Sequence, residues 1–363
     1  MKRILALDGG GVRGALSAGM LAHVEDLLRD RPGAPKDGVL AWHFDMAAGT
    51  STGSIIAVAV SLGYSAAEIG ALYKSLCPRI FSGMRWSQGL RAKFDSARLQ
   101  EALSEHLGER TLASPDLRTA LLICAKRIDT GSPWLIFNNP ESRFWNGDPA
   151  TGAYPNRDYR LIDLIRASAA APFYFDAARI KVTPKGGPGL FLDGGVSPHN
   201  NPALAALHVA TLRPYGYEWP TGKDALSMLS VGTGGVRPRV DGRRFFARPA
   251  LIQAGQALSS LLYDTVMLAI TEMQALSWSP KPWTVNSELG DMADALMPPA
   301  PLLTYQRVDA PLDPNWLMEH AGIAIKPRDA RRFSRMDDPR IVDEIYDIGY
   351  QAARRLIDPD DLV

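Results

Sequence analysis

Hydrophobic positions along this chain switch repeatedly between short continuous runs and helical spacing, and the switches mark its elements. Arg3 to Leu7 is an apolar run that predicts a buried strand, leading directly into Asp8-Gly9-Gly10-Gly11-Val12-Arg13-Gly14. Ala15, Met20, Leu21, Val24, Leu27 and Leu28 then recur at helical spacing, until Pro32, Gly33, Pro35 and Gly38 break the chain. A second strand–turn–helix unit follows: Phe44 to Ala48, the turn Gly49-Thr50-Ser51-Thr52-Gly53, and Ser54 to Leu62, a helix apolar on all sides and therefore central.

Ser65 to Leu76 and Ser96 to Leu107 predict further helices, with an irregular stretch from Pro78 to Phe94 between them. Leu117 to Arg127 and Pro133 to Asn138 predict neighbouring strands, and Asn139 to Asp158 a loop rich in Pro, Gly and Asn. Leu161 to Ala170 predicts a helix ended by Pro172. Leu190 to Leu192 is a short strand into Asp193-Gly194-Gly195, and Asn201 to Ala210 a helix with Pro202 in its first turn. Ala225 to Val231 predicts a strand, Leu251 to Trp278 a long helix, Leu303 to Val308 an edge strand and Ile341 to Leu356 a closing amphipathic helix. The alternation through about residue 235 predicts one parallel-rich α/β domain over 1–235. Residues 236–363 are expected to form a mainly helical part packed on it.

Charge and cysteine content narrow the partners. Forty basic residues against 39 acidic ones leave a net charge of +1, which offers no global attraction to nucleic acid. Two cysteines, Cys77 and Cys124, make neither a disulfide framework nor a zinc spacing, so a reducing, cytoplasmic setting is expected. Ile4 to Leu7 is too short for a signal-peptide core. No window reaches the roughly 20 apolar residues of a spanning helix. A membrane lipid would have to be reached from the water side, as a peripheral contact.

Three motifs carry chemistry. Gly49-Thr50-Ser51-Thr52-Gly53 is G-x-S-x-G between an apolar strand and an apolar helix, the setting of a nucleophile elbow. There the serine hydroxyl projects from a sharp turn, and the flanking glycines avoid collision with the strand and helix beside them. In the loop Asp8 to Gly14, Gly9, Gly11 and Gly14 also satisfy G-x-G-x-x-G after a strand, the dinucleotide fingerprint. No convincing acidic residue follows about 20 positions on, as that fingerprint requires. Three consecutive glycines suit instead a loop of outward-pointing N–H groups able to hold an oxyanion. Arg13 either reinforces that field or braces the loop on a carboxylate. Asp193-Gly194-Gly195 places an aspartate at a strand's carboxyl end, where side chains of open α/β sheets point into the site crevice.

In this order, and with Arg166-Ala167-Ser168-Ala169-Ala170-Ala171-Pro172-Phe173-Tyr174-Phe175 ahead of the aspartate, the motifs resemble the patatin-like phospholipase family. The resemblance covers about Lys2 to Gly235. It implies a three-layer α/β sandwich with a largely parallel central sheet, extended here by helical C-terminal additions. It implies a Ser–Asp dyad: Ser51 as nucleophile, Asp193 as proton acceptor, and the N–H groups of Gly10, Gly11 and Val12 as the oxyanion hole. Gly9, Arg13, Gly14, Gly49, Gly53, Gly194 and Gly195 support it. The implied substrate is the acyl ester of a glycerophospholipid or related lipid, with no cofactor and no metal; self-association stays open.

Six histidines bear on this reading. His23, His43, His106 and His208 lack partner motifs, while His199 and His320 are the two that a triad would use; neither is expected to be catalytic. Two aromatic–basic groups are candidates for interfacial contact, Arg85, Trp86, Arg91 and Lys93, and Arg243 to Phe246. Leu258, Leu261, Leu262, Met273 and Leu276 suit packing or self-association as well as an acyl groove. Two other readings stay in view. One is an effector of the same fold, silent until a cyclic nucleotide binds, as in some bacterial antiviral members of that family. The other is a non-catalytic dinucleotide-binding module on Gly9, Gly11 and Gly14.

Overall fold

A computed structural model describes residues 1–81, 92–148, 150, 152–183, 187–237 and 249–362. Among these residues eight strands form one sheet: β1 (Lys2–Leu7), β2 (Met46–Thr50), β3 (Ala120–Arg127), β4 (Pro133–Phe137), β5 (Ala178–Lys181), β6 (Pro188–Asp193), β7 (Leu226–Val231) and β8 (Thr304–Val308). Their order is β5-β6-β3-β2-β1-β7-β8, with β4 also paired to β3. The five strands β3, β2, β1, β7 and β8 run parallel.

Alternation along the strands divides the core between two faces. Leu5 and Leu7 of β1 point to one side, with Ala47, Ile123 and Val231. There they meet α1 (Gly14–Arg29), α3 (Thr52–Ser61), α4 (Ala66–Ile80), α5 (Ser96–Leu107), α6 (Leu161–Ser168) and α10 (Val342–Leu356). Ile4 and Ala6 point to the other side, with Met46, Cys124 and Met228, under α7 (Ala203–Thr211) and the end of α8 (Ala250–Leu276). The result is the three-layer α/β sandwich with a largely parallel sheet. Apolar runs without polar alternation follow directly from covering both faces. All ten residues of α3 are buried, as a helix apolar on all sides requires.

Shorter helices include α2 (Val39–His43) and α9 (Pro327–Phe333). The C-terminal part is woven into the rest. It supplies the edge strand β8, and α10 packs along α1 so closely that a Cβ on Gly19 would sit 2.1 Å from the Tyr346 carbonyl.

Several boundaries differ from expectation. β2 begins at Met46 and not at Phe44, because Phe44 caps α2 and the Asp45 carboxylate accepts the Arg3 N–H at 2.8 Å. The second strand pair starts at Ala120, not Leu117. α4 runs through Pro78 to Ile80; a proline one turn from the C-terminus forgoes a single helix bond without stopping the helix. The hydrophobic pattern does not predict the strand β5.

The pairing around β3 positions the motifs. β4 occupies one edge of β3 from Leu122 to Lys126. On the other edge β2 runs parallel and ends with Thr50 opposite Cys124. β6 arrives on that same edge from the opposite direction and ends with Asp193 opposite Ala125. The carboxyl ends of β2 and β6 therefore meet head to head along one strand, which brings residues 51 and 193 together across 142 positions of sequence.

Candidate active site

Ser51 stands between β2 and α3 with φ 54° and ψ −123°, a region L-residues rarely adopt. The turn is tight enough to need its glycines: a Cβ on Gly49 would lie 2.2 Å from the Gly53 carbonyl oxygen, and one on Gly53 2.2 Å from the Leu7 carbonyl oxygen. The serine caps the N-terminus of α3, so the positive end of the helix dipole faces its hydroxyl.

The Ser51 hydroxyl donates to Asp193 Oδ2 at 2.6 Å. Asp193 Oδ1 accepts the Gly195 N–H at 2.7 Å, so one carboxylate oxygen is fixed by backbone and the other is given to the serine. Asp193 is only 6% exposed. Burial pushes its pKa up from 3.8 to about 6, against the opposing pull of the Ser51 and Gly195 hydrogen bonds.

One segment holds both partners. The Ser51 N–H donates to Ser168 Oγ at 2.8 Å, and the Ser168 hydroxyl donates to the Cys124 carbonyl at 2.6 Å. Two residues on, the Ala170 carbonyl accepts the Asp193 N–H at 3.0 Å. The end of α6 is thus a jig for the serine and the aspartate. Sequence reasoning singled out Arg166 to Phe175 without giving Ser168 a role. Its only local signal is a serine amid alanines at a helix end.

The glycine loop lies alongside. The Gly9 N–H donates to the Asn200 carbonyl at 3.1 Å and the Thr233 hydroxyl donates to the Gly9 carbonyl at 3.2 Å. Among the described residues the Gly11 N–H has no hydrogen-bond partner, while the Gly10 N–H reaches Thr52 Oγ1 at 3.1 Å. The Val12 N–H, expected beside these as an oxyanion donor, instead donates to the Met336 carbonyl at 2.9 Å. Gly11 takes φ +63°, and a Cβ there would meet that same carbonyl at 2.3 Å. Gly14 opens α1 against Tyr73, whose hydroxyl donates to the Thr52 carbonyl at 2.7 Å. Gly194 passes so close to β3 that a Cβ would lie 2.3 Å from the Cys124 carbonyl.

Among the described residues Arg13 makes no ion pair, and its buried Nε has no partner. The loop is braced from the C-terminal part. Arg307 of β8 forks onto Asp8 at 3.0 and 2.7 Å, and also reaches Asp309 at 2.9 Å and Ser230 Oγ at 2.9 Å. Burial works to depress the Arg307 pKa, but Asp8 and Asp309 outweigh it and hold the guanidinium above its ordinary value.

Ser51, Asp193, Gly9, Gly10, Gly11 and Arg13 line a cavity of about 670 Å³. Its walls are largely apolar, with Ile55, Leu76, Ile80, Leu99, Phe175 and Leu262 prominent. That volume falls within the range of small-molecule sites, about 300–1,000 Å³. Among the described residues no histidine borders it. His199 contributes its carbonyl to Thr50 and its ring is half-buried, with Nδ1 unpartnered among the described residues; His320 stacks on Trp316 at 4.5 Å. Met273 is core, and Leu261 is exposed. Arg85, Trp86, Arg91 and the group Arg243 to Phe246 lie outside the described residues; Lys93 pairs with Asp337.

A model of the patatin-like phospholipase family matches residues 5–207. The chain belongs to the patatin-like phospholipase family. A cGAMP-activated phospholipase of Pseudomonas aeruginosa is 34% identical over 210 residues, covering 56% of this chain and 55% of that protein. A cUMP-AMP-activated phospholipase of Escherichia coli is 33% identical, covering 58% and 59%. Patatin-17 of Solanum cardiophyllum is 29% identical over 255 residues, covering 64% and 61%. The matched chain thus spans less than two thirds of the length of each of these relatives. Among the described residues, no helix of this patatin-like chain is long and apolar enough to cross a membrane.

Proposed function

We propose that this chain is a serine-dependent lipid acyl hydrolase that cleaves acyl esters of glycerophospholipids through a Ser51–Asp193 dyad. The observation that carries the reading is the 2.6 Å hydrogen bond from Ser51 Oγ to a buried carboxylate at the wall of an apolar cavity. In the reaction Ser51 Oγ attacks the acyl carbonyl and its proton passes to Asp193 as the new C–O bond forms. The Gly11 N–H holds the oxyanion; Gly10 joins it by releasing Thr52 Oγ1, and Val12 would do so only by leaving Met336. Asp193 then protonates the departing alcohol, leaving the acyl group on Ser51. Water attacks that ester, giving its proton to Asp193, and the fatty acid leaves as Ser51 regains a proton.

A carboxylate is a weak base for a serine hydroxyl, and the upward shift to about 6 narrows the gap. The test is a panel of phospholipids and p-nitrophenyl acyl esters assayed with the parent chain, Ser51→Ala and Asp193→Asn. Each variant is expected to lose at least about 10³-fold in kcat, the scale on which single members of such a unit act. Undiminished hydrolysis by either variant overturns the dyad.

The names of the bacterial relatives favour one refinement: a cyclic dinucleotide switches the activity on. The parent chain would then stay silent on every lipid until a cyclic dinucleotide is added. In this reading residues 1–235 are the catalytic unit and 236–363 the part through which the switch acts.

A further inference from the structure

The mouth of the cavity carries a surface that acyl transfer does not use. Phe173 borders the cavity and is 70% exposed, more than any other large hydrophobic side chain among the described residues. Its backbone has φ 71°, a region that a bulky L-residue enters only when its surroundings impose it. They do: the Phe173 carbonyl accepts the Lys93 N–H at 2.9 Å, and the next residue, Tyr174, lies parallel to the Phe94 ring at 6.5 Å. The backbone is thus bent against its preference, and the ring it carries points to water. Ordinary packing would have drawn such a ring inward.

Charge is concentrated beside it. From Lys326 to Asp337 there are five basic and two acidic residues, in a chain whose net charge is +1. The segment includes α9 and runs into Ser334 and Met336, which border the same cavity. Asp337 is shared between Lys93 and Arg335, Arg328 pairs with Asp329 and Arg332 with Glu344, so the cations of this segment without an ion pair among the described residues are Lys326 and Arg331. Arg331 is exposed and forms no ion pair among the described residues.

We propose that the cavity mouth docks on an anionic phospholipid surface, with Phe173 inserted at head-group depth and the basic segment Lys326–Arg335 on the lipid phosphates. An outward aromatic paired with clustered arginines is the chemistry of an interfacial anchor. Docking there presents the cavity opening to the lipid, with no need for the substrate to cross water. The inference draws on the acyl-hydrolase reading for its purpose, but its test does not depend on turnover.

The test uses the full chain carrying Ser51→Ala, so that no lipid is consumed, and co-sedimentation with vesicles. Vesicles of phosphatidylcholine alone are compared with vesicles that also contain phosphatidylglycerol. The chain is expected to bind the mixed vesicles, and raised salt to weaken it. Adding Phe173→Asn should weaken binding about ten-fold, the order expected for one interfacial aromatic. Asparagine accepts positive φ, so this variant should melt no lower than its parent. Arg331→Glu with Arg335→Glu should weaken binding to mixed vesicles at least as much, while the same pair placed in the Ser51 chain leaves hydrolysis of a soluble p-nitrophenyl ester unchanged. The proposal fails if the parent binds neither vesicle, or if Phe173→Asn binds as the parent does. It also fails if Phe173→Asn only dissolves a dimer seen in sedimentation velocity, for then the partner is a second copy of the chain.

Discussion

At the scale of single residues, the site holds two groups in states that cost stability. Ser51 keeps φ 54° and ψ −123°, a conformation costing of order 1–3 kcal/mol for any residue but glycine. Ser51→Gly should therefore give an inactive protein more resistant to denaturant than Ser51→Ala, by about 1 kcal/mol or more. Asp193 is the second case. Its folded pKa of about 6 lies above its ordinary 3.8, so the folded chain binds that proton more tightly than the unfolded one. The penalty is absent below pH of about 4, grows between about 4 and 6, and is complete above. Two pKa units set its ceiling near 3 kcal/mol. Asp193→Asn should then stabilise the protein at about pH 8 and leave it unchanged at about pH 4, measured by denaturant midpoints at both. If Asp193 is the base, as proposed, parent activity should run the other way, with kcat/KM rising through pH of about 6 as it ionises. An Asn advantage equal at both pH values would mean that packing, not charge, is what the aspartate costs.

At the scale of elements, the end of α6 does the positioning, and Ser168 is its key contact. Ser168→Ala leaves the Ser51 N–H and the Cys124 carbonyl buried without partners, at a cost of about 1–3 kcal/mol. Because the elbow moves relative to Asp193, kcat should fall about ten- to a hundred-fold with KM little changed. Steady-state kinetics on a soluble ester separates the two. Equal loss in both parameters would assign Ser168 to substrate binding. Most elements were legible because burying both sheet faces makes apolar runs long and helices strongly periodic, as in β1, α3 and α10. β5 escaped because only alternate residues of its four are buried, with Arg179 and Lys181 turned outward. The direction of β6 escaped for a different reason. Local pattern tells that Leu190 to Leu192 is a strand, but not that it pairs antiparallel with β3. Ser51 and Asp193 were recognisable as motifs; what joins them is a pairing between distant strands, which no local pattern contains.

At the scale of the molecule, the C-terminal part reaches the candidate site at the Met336 carbonyl, along the cavity wall and, most deeply, through the buried Arg307 guanidinium. Arg307 lies on the edge strand, where a sequence reading expects an arginine to be solvated, yet its side chain is only 1% exposed. It joins the ends of three strands: Asp8 after β1, Ser230 in β7 and Asp309 after β8. Asp309 in turn accepts the Gly234 N–H at 2.8 Å, and Asp8 opens the glycine loop. Removing the cation by Arg307→Met strands two buried carboxylates, and breaking such a pair costs about 3–5 kcal/mol. Arg307→Lys keeps the charge but not the fork, since an ammonium cannot match the bidentate contact to Asp8 while also reaching Asp309. The lysine variant should therefore fold, with stability between those of the parent and the methionine variant, and carry a loosened glycine loop. Loosening acts on the proposed oxyanion donors and not on the apolar walls, so kcat on a soluble ester should drop about ten-fold or more while KM holds. Parent-like kcat in a folded Arg307→Lys chain would show that the loop keeps its shape without the fork, and that β8 serves the fold alone.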